Sequence, residues 1–237
     1  MTLLVTEIHP FSIPNEPSFI VFAADRRISR GDKFDDTREK IFQVPVLKAG
    51  IGYFGLAEIP EASRRRPMSE WLMNFIKTIQ SSETISNFAL RLSDTLNVLI
   101  PDTWRKTMIS GFHIAGFNSA DQPEFWYVRN VDDDRQTLFG EYRAREDFRR
   151  RDAVNLQPGM YQIYRNGDIR AHVIAWENID HSLGGLLNAP DFKRLITPQA
   201  YVEWLRFKME ITAMFYEKFC ERSIIGGPVD ACFISAT

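Results

Sequence analysis

The chain has 237 residues, 44% hydrophobic and 25% charged, ordinary values for a water-soluble globular protein. Its net charge of −2 supplies no general pull toward nucleic acid or an anionic membrane. No run reaches the ~18–20 consecutive apolar residues that span a bilayer, and no basic-then-apolar leader opens the sequence, so a cytoplasmic setting is expected.

Met1 to Ile8 reads as a first strand, and His9 to Ser18, with Pro10, Pro14 and Pro17, as an extended loop. Phe19-Ile20-Val21-Phe22-Ala23-Ala24 is rich in aromatic and β-branched residues and stops at Asp25-Arg26-Arg27, which predicts a buried strand with charge at its mouth. Gly31 to Arg38 reads as a solvated turn. Its aspartates (Asp32, Asp35 and Asp36) lack the alternation and closing glutamate of a calcium loop. Glu39-Lys40 leads into a strand at Ile41 to Val44, and Gly50 to Leu56 predicts a strand that ends on Gly55.

Ser69 is the expected N-cap of a first helix, with Trp71, Leu72, Phe75, Ile76 and Ile79 on one face. Thr84 opens a second helix through Ile100, with Ile85, Phe88, Leu92, Leu96 and Leu99 at helical spacing, and Pro101 ends it. Met108 to Phe117 and Pro123 to Asn130 predict two strands around a turn at residues 118–121, with His113 as a packed strand residue. Residues 136–152 mix both signs of charge and read as an inserted, solvated helical face. Asn166-Gly167 predicts a hairpin between Met160–Tyr164 and Ile169–Trp176, followed by an irregular stretch from Glu177 to Asp191. Thr197-Pro198 then opens a long helix to about Arg222, with Tyr201, Leu205, Ile211, Phe215 and Phe219 as its core stripe. Val229 to Ile234 closes the chain as a strand. Cys220 and Cys232 read as two reduced, buried thiols.

The order "ADRR", "EKIFQV" and an apolar strand ending "FGL" resembles the proteasome β subunit and its bacterial relatives, the N-terminal-nucleophile (Ntn) hydrolases. The Asp25-to-Lys40 interval fits that family to within a residue or so. Gly226-Gly227-Pro228-Val229-Asp230-Ala231-Cys232-Phe233-Ile234 is similar to the family's closing strand. The two matches lie near opposite ends of the chain and in the family's order. The resemblance implies one domain over residues 1–237, an α+β four-layer αββα sandwich of two antiparallel sheets between helix layers. It also implies a threonine peptidase or amidohydrolase that acts on a peptide or amide. Thr2, exposed by removal of Met1, would be the nucleophile, with Lys40 beside its hydroxyl, Asp25 holding Lys40, and Arg27 bracing Asp25. The Gly55 amide would face the oxyanion. No cofactor or metal is implied, and ring-like self-association is. Aligned on Gly226-Gly227, Arg222 and Ile225 stand where the family places an aspartate and a serine. That departure keeps a second reading open, a catalytically inactive structural or binding subunit.

Overall fold

The structure is a computed structural model that describes residues 3–10, 17–30, 33–61, 64–132, 137–148, 160–168, 170–171, 176–192 and 194–236. It is a mixed α+β protein whose antiparallel sheets pack against helices. The backbone divides into two compact units. One comprises Met1–Ile41 with Pro158–Phe233, the other Phe42–Gln157 with Ile234–Thr237.

The first unit is built on a four-stranded sheet. Its strands are β1 (Leu4–His9), β2 (Phe19–Asp25), β12 (Gln162–Asn166) and β13 (Val229–Ser235), in the order β12-β1-β2-β13. β1 runs antiparallel to both β2 and β12. Every residue of β1 and β2 is buried, as the apolar run Phe19–Ala24 requires, and the burial extends to Glu7 and His9 of β1, whose side chains lie 3.4 Å apart. Leu3, Val5, Phe19, Val21 and Ala23 pack against the long helix Pro198–Phe219, through its Val202, Leu205, Met209, Ala213 and Tyr216. Thr197 caps that helix by accepting from the Ala200 amide (3.2 Å), and Pro198 fills its first turn, as expected. A small hairpin, β3 (Ile28–Arg30) with β4 (Lys33–Asp35), occupies part of the segment read as a turn.

The second unit carries β5 (Ile41–Val44), β6 (Ala49–Phe54), β9 (Gly111–Phe117), β10 (Pro123–Val131) and β11 (Leu138–Phe148), in the order β11-β10-β9-β6-β5. β7 (Glu58–Pro60) and β8 (Arg65–Pro67) pair separately. Helices α1 (Met68–Ile76) and α2 (Ile85–Leu99) lay Trp71, Leu72, Phe75, Phe88, Leu92 and Leu96 on the sheet. Thr84 caps α2 through the Asn87 amide (3.1 Å). α1 begins one residue before Ser69, with Pro67 at its N-cap and no side-chain cap, so Ser69 lies inside the first turn. A short α3 (Asp102–Arg105) follows Pro101. His113 is buried among Phe54, Phe125 and Tyr127, as a packed strand residue.

Three other expectations are corrected. Residues 138–148 form β11, an edge strand, not a helical face. Tyr142 is buried and Ala144 packs on the core, while Glu141, Arg143 and Arg145 between them are exposed; a bulge opposite Phe125 and Trp126 interrupts the alternation before the buried Phe148. Over 141–145 the period is therefore 2, and charge on an edge strand discourages unwanted pairing. The strand expected at Ile169–Trp176 is also absent where it can be seen. Arg170 and Ala171 are helical, Trp176 opens α4 (Trp176–Ser182), and β12 pairs with β1; Ile169 and residues 172–175 lie outside the described residues. The stretch read as irregular thus holds α4 and a 3-10 turn at Gly184–Asn188. Finally, the long helix, α5 hereafter, exposes Phe215 and Phe219, and its buried stripe runs through Val202, Leu205, Met209, Thr212 and Tyr216.

Candidate functional site

Asp25 ends β2 and Lys40 is the residue before β5, and both residues belong to the first unit. Both are buried to 1% exposure, and Lys40 Nζ lies 3.2 Å from Asp25 Oδ1. Lys40 also donates to the Arg27 carbonyl at 2.7 Å. The same Asp25 oxygen accepts from the Leu3 amide at 2.7 Å, and Oδ2 accepts from the Gly226 amide at 3.3 Å. Residues far apart in sequence are thus brought onto one carboxylate.

The electrostatics of the pair follow from this enclosure. Burial pushes the Asp25 carboxyl up from its ordinary value, against the Lys40 charge and the Leu3 and Gly226 amides. Burial likewise pushes the Lys40 ammonium down, against the pull of Asp25.

Around the pair lies a shell of charge-assisted bonds. The Arg27 guanidinium forks onto Asp36 (2.9 and 2.7 Å) and reaches Glu217 (3.0 Å) and Ser223 Oγ (2.8 Å). It therefore braces the site through its carbonyl on Lys40, not through a side-chain bond to Asp25 as anticipated. Ser223 Oγ in turn donates to the Ile225 carbonyl (2.9 Å). Arg26 forks onto Asp230 (2.9 and 2.6 Å). Its backbone amide donates to the Pro228 carbonyl, and that of Arg27 to the Gly226 carbonyl. A Cβ added at Gly226 would stand 2.4 Å from Arg27 Cζ and 2.7 Å from Glu217 Oε1, the ends of two flexible side chains, so a larger residue there would displace this ion-pair shell. The sequence reading did not place Glu217 or Ser223 in the site, and it gave Asp36 and Asp230 only as parts of a solvated turn and of the closing-strand motif. The contacts of Arg27 with Glu217 and Ser223 span about 190 positions, and no local pattern marks them.

The expected site residues separate as follows. Asp25 and Lys40 are in contact. Thr2 lies outside the described residues, although the next backbone nitrogen, that of Leu3, is bound to Asp25. Gly55 belongs to the second unit, at φ +83°, where a Cβ would meet the Ile109 carbonyl oxygen at 2.1 Å. Packing alone therefore demands glycine at this position. Ile225 is fully buried and Arg222 exposed, where the resemblance expects a serine and an aspartate. Cys220 and Cys232 are reduced and half-buried, not fully buried.

Among the described residues, no group of three or more His, Cys, Asp or Glu side chains could hold a metal ion, and no helix is long and apolar enough to cross a membrane. No protein-family model matches the chain, and no curated protein matches it.

Proposed function

We propose that the chain is a threonine-type peptidase or amidohydrolase of the Ntn class, with Thr2 as its terminal nucleophile once Met1 is removed. The observation that carries this reading is the sealed Asp25–Lys40 pair, whose Asp25 Oδ1 also holds the Leu3 amide, the backbone nitrogen that follows Thr2. The proposed fold is a four-layer αββα sandwich. In its favour, β2 and β9 are buried at every position, as inner strands of such a sandwich are. Ring-like self-association belongs to the same reading.

The chemistry needs no cofactor. A free α-amine at residue 2 has a pKa of about 7.7–8.0, well placed to take the hydroxyl proton near neutrality. The Thr2 oxygen attacks the amide carbonyl carbon and forms a tetrahedral oxyanion. A lysine held by Asp25 beside the hydroxyl favours its alkoxide form, and the Gly55 amide donates to the oxyanion. The protonated α-amine returns its proton to the leaving nitrogen, the C–N bond breaks, and an ester remains on Thr2. The same amine then takes a proton from water as the hydroxide attacks the ester carbonyl, and it returns that proton to the Thr2 oxygen as the ester C–O bond breaks and the acid is released.

The buried Ile225 favours a second reading, a non-catalytic relative used for assembly or binding. The intact mass of the protein, before and after exposure to an electrophile that captures N-terminal threonine, separates the two. Loss of one methionine, then a single adduct on Thr2 that Thr2→Ala abolishes, is the expected outcome. Methionine retained in protein from its native host, or turnover unchanged in Thr2→Ala, would overturn the catalytic reading.

A further inference from the structure

Helix α5 has a second apolar flank besides the one that packs on β2. Phe207, Met214, Phe215 and Phe219 are 40%, 50%, 59% and 73% exposed. Helical spacing sets Ala200, Trp204, Phe207, Ile211, Met214 and Lys218 along one stripe. Two hollows border it, both within the first unit. One, of about 340 Å³, lies at the N-terminal half and is lined by Leu186, Phe192, Trp204 and Phe207 among others. The other, of about 500 Å³, lies at the C-terminal half beside Ile179, Ile211, Phe215 and Phe219. A contiguous exposed apolar surface of this kind marks a contact site.

We infer that this flank binds a second copy of the chain across a twofold axis, with the two α5 helices antiparallel and crossing near Ile211. A twofold contact is self-complementary, so each projection must find its recess on the same surface. The helix meets that demand: Phe215, 59% exposed, projects from its C-terminal half, and the hollow beside Trp204 and Phe207 opens at the N-terminal half. Crossing at Ile211 sets residue 215 of one copy opposite residue 207 of the other, at the edge of that hollow.

Charge selects the same arrangement. Glu203 and Lys218 are both exposed on this side of the helix. The antiparallel crossing brings each Lys218 against Trp204 and Glu203 of the other copy, an ion pair with a cation–π contact. A parallel pairing would set Glu203 against Glu203 and Lys218 against Lys218. Glu203, Glu210 and Glu217, all exposed along the neighbouring edge, oppose an anionic lipid surface as the occupant. The inference stands apart from the catalytic reading and uses none of its residues.

The test is the mass of the full-length chain by light scattering during size exclusion, up to about 100 μM, above the micromolar Kd of a modest apolar contact. The wild type is expected at two chains or an even multiple, and Phe215→Glu is expected to halve that mass with an unchanged circular dichroism spectrum. Glu203→Lys should raise the dissociation constant about tenfold, and adding Lys218→Glu should restore it. A monomeric wild type, or a mass indifferent to Phe215→Glu, would overturn the interface. Failure of the charge exchange to restore association would overturn its antiparallel geometry.

Discussion

Lys40 Nζ and the Leu3 amide converge on one oxygen of Asp25, at 3.2 and 2.7 Å, in a place where Asp25 and Lys40 are both sealed from water. Removing one partner leaves a buried charge without its counter-ion. Lys40→Met should therefore cost about 3–5 kcal/mol in urea unfolding. Asp25→Asn/Lys40→Met together should cost less than the sum of the two single changes, because the pair is coupled. Additive losses would show that the two side chains do not stabilise each other.

Asp168, just after β12, gives the acid limb of stability. The Arg170 side chain, its first cause, with Tyr216 and the Arg170 amide, holds the Asp168 carboxyl down to about 2. The unfolded chain binds that proton at about pH 3.9, so it is the unfolded state that gains protons first on acidification. The stabilisation is full above about pH 4 and is lost as the pH falls through about 2. Asp168→Asn should unfold more easily at pH 7 and show a flatter stability profile between pH 4 and 2 than the wild type. Parallel profiles for the two proteins would exclude Asp168 as a source of that limb.

At the edge of the five-stranded sheet, Asn97 of α2 takes the place of a neighbouring strand. Its Oδ1 accepts from the Tyr142 amide, and its Nδ2 donates to the Tyr142 carbonyl at 2.9 Å, with Ser93 Oγ donating to the same carbonyl at 2.8 Å. Asn97→Leu removes both bonds to a strand whose Tyr142 is buried. The expected cost is about 1–3 kcal/mol, read as faster hydrogen exchange at the Tyr142 amide while β9 amides keep their protection. Unchanged exchange at Tyr142 would mean that Asn97 does not protect the edge.

What could be read from the sequence divides along physical lines. β2 and α2 were legible because an uncharged aromatic and β-branched run, or a capped stripe at helical spacing, has one stable use. β11 was misread because its charges were counted without their alternation: Tyr142 and Ala144 pack on the core, while Glu141, Arg143 and Arg145 are exposed. The face of α5 was misassigned because its aromatics lie on both sides, and only the contact with β2 decides which side is core. Asp25 and Lys40 were chosen by resemblance, and their contact is a property of the fold. Arg27, Glu217 and Ser223 meet across most of the chain, where a single sequence holds no record of proximity.

Gly55 sets a limit on how the proposed oxyanion donor can be examined. Its φ of +83° is left-handed, and an alanine Cβ there would sit 2.1 Å from the Ile109 carbonyl oxygen and 2.7 Å from Ser110 Cα. Neither neighbour is the flexible end of a side chain; both are backbone, so relief requires the segment entering β9 to move. Gly55→Ala should therefore cost more than the ~1–3 kcal/mol of conformational strain alone, and should lower the melting temperature. Thr2→Ala makes no comparable demand on the fold and is expected to leave the melting temperature unchanged. Loss of turnover in Thr2→Ala at constant stability would then assign the chemistry to Thr2, while loss in Gly55→Ala would carry weight only after correction for its unfolded fraction. A Gly55→Ala protein as stable as the wild type would show that the backbone accommodates the side chain, and its activity would report directly on the oxyanion role.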